Sequence, residues 1–389
     1  NYHAVTGIDV TVTVKKADAG VSITGAPTEK TYGDADFTVT AANGVTETTG
    51  NTGTWKWTSS DDSILKIVFG ADSATATVQV LKASATGATL TVTYSSITHY
   101  GTANVTIKVN KKDVTITGLS AGSKVYDGNT TANATGAAVI NGKVGSDDVT
   151  VTAGTASFDN VNVGTDKIVT FTGYSLSGAD AGNYNLKAQP ASVTANIVAK
   201  DVKLTGSINA TDRSYVKDNK TVDLTKGTLT FDGLVSGETL DVNLPATGTI
   251  SDAKVGVYNV AYSGVTLKDG TGKASNYKLV SPLPTVTVNI TKATAPTLKN
   301  ITVSQKYTVT TEQSKNIGNG GMPADAGTLT YAKGTESKTG SVTVTSWAVD
   351  ATGKVTYTLS GGAAGDTVTL PVTIKSTNYV DCLLYTSDA

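Results

Sequence analysis

Cysteine and arginine are almost missing from this chain of 389 residues, since each occurs once, as Cys382 and Arg213. A single cysteine excludes an intramolecular disulfide. The scarcity of arginine argues against phosphate recognition, for which the planar guanidinium is favoured, and a net charge of −1 gives no basic footprint for nucleic acid. We therefore expect hydrophobic cores rather than disulfides to hold the fold, and no nucleic-acid partner.

Strong helix formers and long apolar runs are scarce as well. Glutamate is rare, and no stretch of about ten residues has a convincing 3.6-residue apolar period. No run approaches the ~20 apolar residues that a membrane-spanning helix needs. Threonine and valine are abundant instead, and their β-branched side chains suit a pleated surface. The composition predicts an all-β protein without membrane insertion.

The dipeptide Asn-Tyr returns along the chain, each time before a run that alternates apolar and polar residues. Its interval is about 90–100 residues, the size of one small domain, which indicates an array of whole domains rather than a solenoid of short units. The members of the series are Asn1-Tyr2, His99-Tyr100 (with His in the Asn position), Asn183-Tyr184, Asn276-Tyr277 and Asn378-Tyr379. We therefore expect tandem antiparallel β-sandwiches.

This repeat divides the chain into four modules. We predict the terminal strand of a truncated module at 1–18, followed by module A at 19–112, module B at 113–200, module C at 201–293 and a truncated module D at 294–381. Residues 382–389 match the translation of a transposase adapter used in library preparation, so they are excluded from fold prediction as a scar. The junctions are short, polar and free of Gly/Ser runs, which predicts a stiff monomeric rod.

Three motifs carry a resemblance to known repeats over about residues 19–293. Lys124–Thr131 (KVYDGNTT), followed by Gly182-Asn183-Tyr184, resembles the YDG repeat of bacterial surface proteins. Lys30–Asp34 (KTYGD) is similar to the opening of the MBG repeat, and Trp57–Asp61 (WTSSD) to the core strand of bacterial immunoglobulin-like domains. Module C departs from the YDG pattern, because Asn219 stands in place of Gly128 and two residues are inserted.

The resemblance implies immunoglobulin-like β-sandwich modules in a large adhesin-like protein, located outside the cell at a bacterial surface or cell wall. It implies a non-enzymatic stalk or spacer with no catalytic residue and no cofactor. Two alternatives stay open at this stage. One is a module that binds a glycan or a host surface protein, and the other is a spacer between domains of a secreted polysaccharide-degrading enzyme.

The recurring motifs have both structural and ligand-binding interpretations. Tyr126-Asp127-Gly128 could form a ligand or calcium loop, but Asp-Gly is a common turn dipeptide in which glycine supplies a positive φ. Asn183-Tyr184 and Asn276-Tyr277 precede a final strand. There, a tyrosine can pack its ring inward and bond its hydroxyl to the backbone, as in a tyrosine corner. We favour the structural role for both motifs, since a ligand site need not recur in every module.

Trp55 and Trp57 lie two residues apart and should project from one face of a strand. Placed outward, they could form a stacking platform for sugars. Placed inward, they would anchor the core of a sandwich, as large aromatic residues often do. We expect the core role and keep the pair as the candidate ligand site of module A.

Candidate metal and catalytic groups are few. Calcium could bind at Asp147-Asp148, Asp180 or Asp61-Asp62, but none has the spaced oxygen ligands of a calcium loop. His3 and His99 are far apart in sequence, which disfavours zinc, and no G-x-S-x-G elbow is present. We expect no metal, no cofactor and no enzymatic activity.

Lys–Asn isopeptide bonds are another device by which domains without disulfides are locked. Such a bond needs a neighbouring carboxyl group to move protons. Module B contains no glutamate, so an aspartate would have to serve there.

Overall fold

The computed structural model describes residues 11–306 and 308–388. These residues form β-strands, turns and two short 3-10 turns, at Ala181–Asn183 and Ala274–Asn276, so the all-β prediction is confirmed. Within that part of the chain, neither helical turn is long and apolar enough to cross a membrane. The backbone divides into two compact units, Asn1–Val198 and Ala199–Ala389.

Module A is a sandwich of two sheets. Its larger sheet has the order β1-β9-β8-β5 with β3 also on β9, and its smaller sheet has the order β2-β4-β7-β6. The strands are β1 Ala17–Asp18, β2 Ser22–Thr24, β3 Glu29–Thr31, β4 Phe37–Ala42, β5 Thr54–Ser59, β6 Leu65–Phe69, β7 Thr75–Val80, β8 Ser84–Ser95 and β9 His99–Asn110. Of the strand expected at 1–18 in a preceding module, residues 1–10 lie outside the described part. In the rest only β1 forms, and the assignment of Ala17–Asp18 to that module was wrong, because β1 pairs with β9 of module A.

The core of module A follows from its alternating pattern. On β8, Leu90 and Val92 are fully buried, while Thr91 between them and the flanking threonines are partly exposed. They share one apolar cluster with Val39 of β4 and Val78 of β7 in the opposite sheet. Burying each such side chain contributes about 1.5–3 kcal/mol.

Module B has the same plan in the first unit. It contains a sheet of order β12-β21-β18-β17-β13, a sheet of order β15-β10-β20 and the pairs β11-β14 and β16-β19. Its strands are β10 Lys112–Thr117, β11 Ser120–Ala121, β12 Lys124–Val125, β13 Thr131–Ala132, β14 Ala134–Thr135, β15 Val139–Asn141, β16 Thr150–Thr152, β17 Thr155–Phe158, β18 Gly164–Thr172, β19 Ser175–Ser177, β20 Tyr184–Leu186 and β21 Val193–Val198.

Module C opens the second unit with sheets of order β26-β24-β22-β29 and β23-β30-β27 and the pair β25-β28. Its strands are β22 Lys200–Ala210, β23 Arg213–Ser214, β24 Thr221–Asp232, β25 Leu240–Asn243, β26 Thr247–Thr249, β27 Gly256–Asn259, β28 Thr266–Asp269, β29 Tyr277–Val280 and β30 Thr287–Thr291. Leu204 of β22 and Ile290 of β30 pack into one core between the sheets.

Module D pairs a sheet of order β31-β38-β37-β33, with β34 on β37, and a sheet of order β32-β36-β35. Its strands are β31 Ile301–Val303, β32 Gln313–Asn316, β33 Leu329–Lys333, β34 Ser337–Thr339, β35 Thr343–Val349, β36 Lys354–Ser360, β37 Thr367–Ser376 and β38 Cys382–Asp388. The segment expected to be a scar thus lies in β38, where Cys382 and Leu384 are buried because apolar residues alternate there. Its origin stays a prediction.

The sheets are not purely antiparallel, because two strands in each of modules A, B and C form a parallel pairing. One pairs with the segment at the repeated tyrosine, with Asp18 opposite Tyr100, Lys112 opposite Tyr184 and Lys200 opposite Tyr277. The other pairs with the last strand, as β3 with β9, β12 with β21 and β23 with β30. In each of these modules, the Asn-Tyr segment therefore pairs with the first strand, and the short strand before Tyr32, Tyr126 or Tyr215 pairs with the last strand.

Candidate functional site

The candidate site is the contact between consecutive modules inside each compact unit. In the first unit, Tyr32 follows β3, and its backbone N–H donates to Asn110 O at 2.9 Å, which holds it beside the end of β9. Tyr184 begins β20 of module B. The two rings meet edge to face, with centroids 5.5 Å apart and planes at 79°. The opening motif of module A therefore touches the Asn-Tyr motif of module B.

One carboxylate joins these two tyrosines. Asp147 Oδ2 accepts a hydrogen bond from the hydroxyl of Tyr32 at 2.8 Å and another from the hydroxyl of Tyr184 at 2.5 Å. The Tyr184 hydroxyl also accepts from the backbone N–H of Val144 at 2.8 Å. We call the set Tyr32, Asp147 and Tyr184 the first tyrosine bridge.

Burial of the two tyrosines raises the pKa values of their hydroxyl groups. Tyr32 and Tyr184 are 8% and 3% exposed. Burial, followed by the hydrogen bond to Asp147, raises the pKa of Tyr184 to about 12, and the same causes raise the pKa of Tyr32 still further. Both hydroxyls therefore stay protonated at neutral pH and act as donors to the carboxylate, a charge-assisted arrangement that is stronger than a neutral hydrogen bond.

Asn183 adds a polar contact from module B to module A. Its side chain is buried, and its Oδ1 accepts the backbone N–H of Ala83 at 3.0 Å. Both residues of this Asn-Tyr pair thus contact the preceding module. The tyrosine-corner interpretation expected a buried ring and a hydroxyl bonded to the backbone, and Tyr184 has both, through Val144 N–H. The contacts of the motif with the preceding module were not predicted.

Close backbone approach completes the junction. Gly33 has φ +81°, and a Cβ built there would lie 2.5 Å from Val144 Cγ2 of module B. The buried cores also merge, because Val114, Val149 and Tyr184 of module B belong to the same apolar cluster as the core of module A. A continuous core resists bending, since bending would open apolar surface to water.

A second tyrosine bridge lies in the other unit. Tyr215 donates to Asp325 Oδ2 at 3.1 Å, Tyr379 donates to the same atom at 3.3 Å, and their rings are 5.7 Å apart at 73°. Burial, then the hydrogen bond to Asp325, raises the pKa of Tyr215 to about 12. Asn378 donates to Asp325 O at 2.8 Å, while its Oδ1 is buried without a partner among the described residues.

Module C contains the same tyrosine and carboxylate pairing. The hydroxyl of Tyr277 accepts from Val235 N–H at 3.1 Å and donates to Glu238 Oε2 at 2.6 Å. Asn276 is 2% exposed. In modules B, C and D, the tyrosine of the Asn-Tyr motif therefore bonds to a carboxylate of its own module.

The YDG motif forms a turn closed by a lysine. Tyr126 is 3% exposed and its N–H donates to Val198 O at 2.9 Å. Lys124 Nζ donates to Asp127 Oδ1 and to Asn129 O, both at 2.7 Å. Gly128 has φ +79°, which a side chain would strain. The Asp127 carboxylate is thus engaged by groups of its own turn.

Arg213 closes a turn in module C that resembles the YDG turn of module B, a role that its sequence position alone did not suggest. It lies two residues before Tyr215, as Lys124 lies before Tyr126, and its guanidinium donates to Asn219 O and, at 3.1 Å, to Ser214 O. The shared spacing of a basic residue and a tyrosine was the available signal. The single arginine therefore supports a turn.

The two candidate ligand tryptophans lie on one side of β5, toward the core. Trp57 is 3% exposed, and its Nε1 donates to Ser73 O at 3.0 Å. Trp55 is partly buried against the core and packs on Tyr94 with ring centroids 4.8 Å apart. The structure therefore does not present them as a paired external platform.

The aspartates considered for calcium are engaged by the protein. Asp148 and Asp180 bind each other's loops, since Asp180 Oδ2 accepts from Asp148 N–H at 2.8 Å and Asp148 Oδ2 from Ala179 N–H at 3.1 Å. Asp61 accepts from the backbone and hydroxyl of Ser63. Among the described residues, no group of three or more His, Cys, Asp or Glu side chains could hold a metal ion.

Comparison with known proteins identifies a YDG domain at residues 110–195, so the resemblance of module B to the YDG repeat is confirmed. No curated protein matches the chain. Among solved structures, extracellular cadherin domains 3–6 of protocadherin gamma B2 match at 10% identity, 95% coverage of this chain, 100% of that chain and a TM-score of 0.24. Immunoglobulin domains 1–5 of Sidekick-1 match at 10% identity, with coverage of 96% of this chain and 80% of that chain and a TM-score of 0.24. Titin domains I67–I69 match at 14% identity, with coverage of 71% of this chain and 99% of that chain and a TM-score of 0.22.

Proposed function

We propose that this chain is a non-enzymatic spacer of a large, adhesin-like protein at a bacterial cell surface. Its task would be to hold a binding or catalytic domain away from the envelope. The tyrosine bridges support this proposal most strongly. Each joins the opening tyrosine motif of one module to the Asn-Tyr motif of the next through two hydroxyls, one carboxylate and a ring contact.

A spacer needs junctions that resist bending, and burial supplies that resistance. Separating modules A and B would expose Tyr32 and Tyr184 and break the hydrogen bond from Tyr32 to Asp147, whereas the bond from Tyr184 to Asp147 lies within module B. Losing a buried partner costs about 1–3 kcal/mol per group, in addition to the apolar area exposed. Such a junction transmits force and keeps a set angle without disulfides, which suits a chain with one cysteine.

Spin-label distances across the first junction would test the proposal. One label replaces Lys56 in module A and the other Thr170 in module B, both exposed, in a Cys382→Ser background. We expect a narrow distance distribution in the full chain and a clearly broader one after Asp147→Ala. Labels at Lys56 and Thr102, both inside module A, should show the same width in both proteins. Equal broad distributions across the junction would contradict the spacer proposal.

Binding measurements address the adhesive alternative. In the spacer proposal, the full chain binds neither a glycan array nor host matrix proteins. Specific binding that disappears in a folded Trp55→Ala variant would instead assign an adhesive role to module A.

A further inference from the structure

Among the described residues, Lys167 is the only buried lysine, with 9% of its surface exposed. It lies in β18, the central strand of the larger sheet of module B. A buried ammonium is costly unless it is paired and hydrogen-bonded. The tyrosine bridges do not use this residue, so its burial needs another explanation.

A bulge directs Lys167 away from solvent. The register between β18 and β21 shifts between Gly164 and Lys167. The residue before the lysine, Asp166, has φ +49°, one of two positive values at non-glycine positions in the described chain. Its N–H donates to Asn196 Oδ1 at 2.9 Å, which holds the bulge. Bulges and strained backbone often serve to aim a side chain.

The side chain is aimed at an amide and a carboxylate that also bond to each other. Lys167 Nζ lies 2.9 Å from Asp159 Oδ1 and donates to Asn160 Oδ1 at 2.8 Å. Asn160 Nδ2 donates to Asp159 Oδ2 at 3.0 Å. One carboxylate oxygen therefore contacts the lysine nitrogen and the other contacts the amide nitrogen. This closed ring places an amine, an amide and a proton carrier within hydrogen-bond reach.

We propose that Lys167 and Asn160 form an intramolecular isopeptide bond, with Asp159 carrying the protons between them. Asp159 Oδ1 takes a proton from the ammonium, and the freed amine attacks Asn160 Cγ. The Nζ–Cγ bond forms, the Cγ–Nδ2 bond breaks, and Asp159 Oδ2 returns protons to Nδ2.

The step balances without an oxidant or a cofactor. The lysine nitrogen keeps one hydrogen in the new amide, and the other two leave with the amide nitrogen as ammonium. The Asp159 side chain is 43% exposed, so the leaving group has a path to solvent. The bond would close a ring across residues 160–167 and hold the bulge of β18 in place.

Mass spectrometry of the full chain, denatured after expression, tests this. We expect the protein to be lighter than its sequence by about 17 Da, the mass of one ammonia. Trypsin should yield one joined peptide covering 144–187, because a lysine bonded through Nζ is not cleaved. Separate peptides 144–167 and 168–187 at unmodified mass would overturn the proposal.

Three variants control for other causes of the same mass loss. Lys167→Arg keeps a cation beside Asp159 but has no amine, and it should have the full mass. A loss that persists in this variant would indicate a succinimide at Asn160 and overturn the proposal. Asp159→Ala should lower the linked fraction severalfold, and equal linkage would disprove the proton-carrier role. Lys254→Arg removes an exposed lysine whose partner is Asp252, 3.3 Å away, and should leave the linkage intact.

Discussion

The ring of Tyr32 meets the ring of Tyr184 edge to face, 5.5 Å between centroids, although the two residues belong to different modules. Edge-to-face pairs contribute about 0.5–1.5 kcal/mol beyond their buried area. Tyr215 and Tyr379 repeat the arrangement at 5.7 Å. The same tyrosine pair therefore occurs at a module junction in both compact units, which indicates that the junction is a regular part of the fold.

Removing the shared carboxylate should loosen the first junction more than removing one hydroxyl. Asp147→Ala leaves two tyrosine hydroxyls without their acceptor, whereas Tyr32→Phe removes one donor. We expect Asp147→Ala to lower the free energy of unfolding by about 2–4 kcal/mol and Tyr32→Phe by about 1. The measurement is hydrogen exchange of module B in the full chain.

The double variant Asp147→Ala/Tyr32→Phe provides the control for that prediction. Because the two groups contact each other, the double variant should lose less stability than the sum of the single losses. Strict additivity would show that the hydrogen bond contributes nothing to the junction.

Gly33→Ala should disturb the same junction by sterics. At φ +81° the added Cβ would lie 2.5 Å from Val144 Cγ2, so a backbone cost adds to a clash. Gly237→Ala is the matched control, because Gly237 has φ +82° with no atom near the position of its Cβ. We expect a loss of about 1 kcal/mol from the backbone in both variants and a further loss of about 1–3 from overpacking in Gly33→Ala only. Val144→Ala in the Gly33→Ala background should restore part of the difference, as measured by thermal denaturation.

The fold class and the repeated tyrosines could be predicted from the sequence because both are local patterns. Alternation of apolar and polar residues follows from the two faces of a strand. Tyr184 and Tyr277 stand out because the dipeptide recurs at the period of a domain.

The carboxylates could not be predicted in this way. Asp147, Glu238 and Asp325 lie 37, 39 and 54 residues before the tyrosines that they bind, and the acid is sometimes Asp and sometimes Glu. No fixed spacing identifies them. Asp147 drew notice only as a calcium candidate, since a carboxylate in a sequence does not reveal whether hydroxyls or a cation will satisfy it.

Trp57→Ala should destabilise module A. The change removes a buried ring and the hydrogen bond from Nε1 to Ser73 O, and truncation of a core tryptophan costs about 3–5 kcal/mol. Trp55→Ala removes a partly buried ring and should cost less. Hydrogen exchange in β5 and β8 measures both effects. A Trp57→Ala protein as protected as the wild type would contradict the core placement.

Alkaline pH should open the tyrosine bridges. An unfolded tyrosine loses its proton near pH 10.0, whereas Tyr184 and Tyr215 keep theirs up to a pKa of about 12, chiefly because of burial. Between these values the folded chain holds protons that the unfolded chain has released, so the free energy of unfolding falls as pH rises. Below pH 10 this stabilising contribution is fully present. Tyrosinate absorbance during a pH titration should show a late-titrating group of tyrosines, and Asp147→Asn should move part of that group to lower pH by removing the nearby negative charge. A single titration near pH 10 in the folded protein would show that the hydroxyls are not held as described.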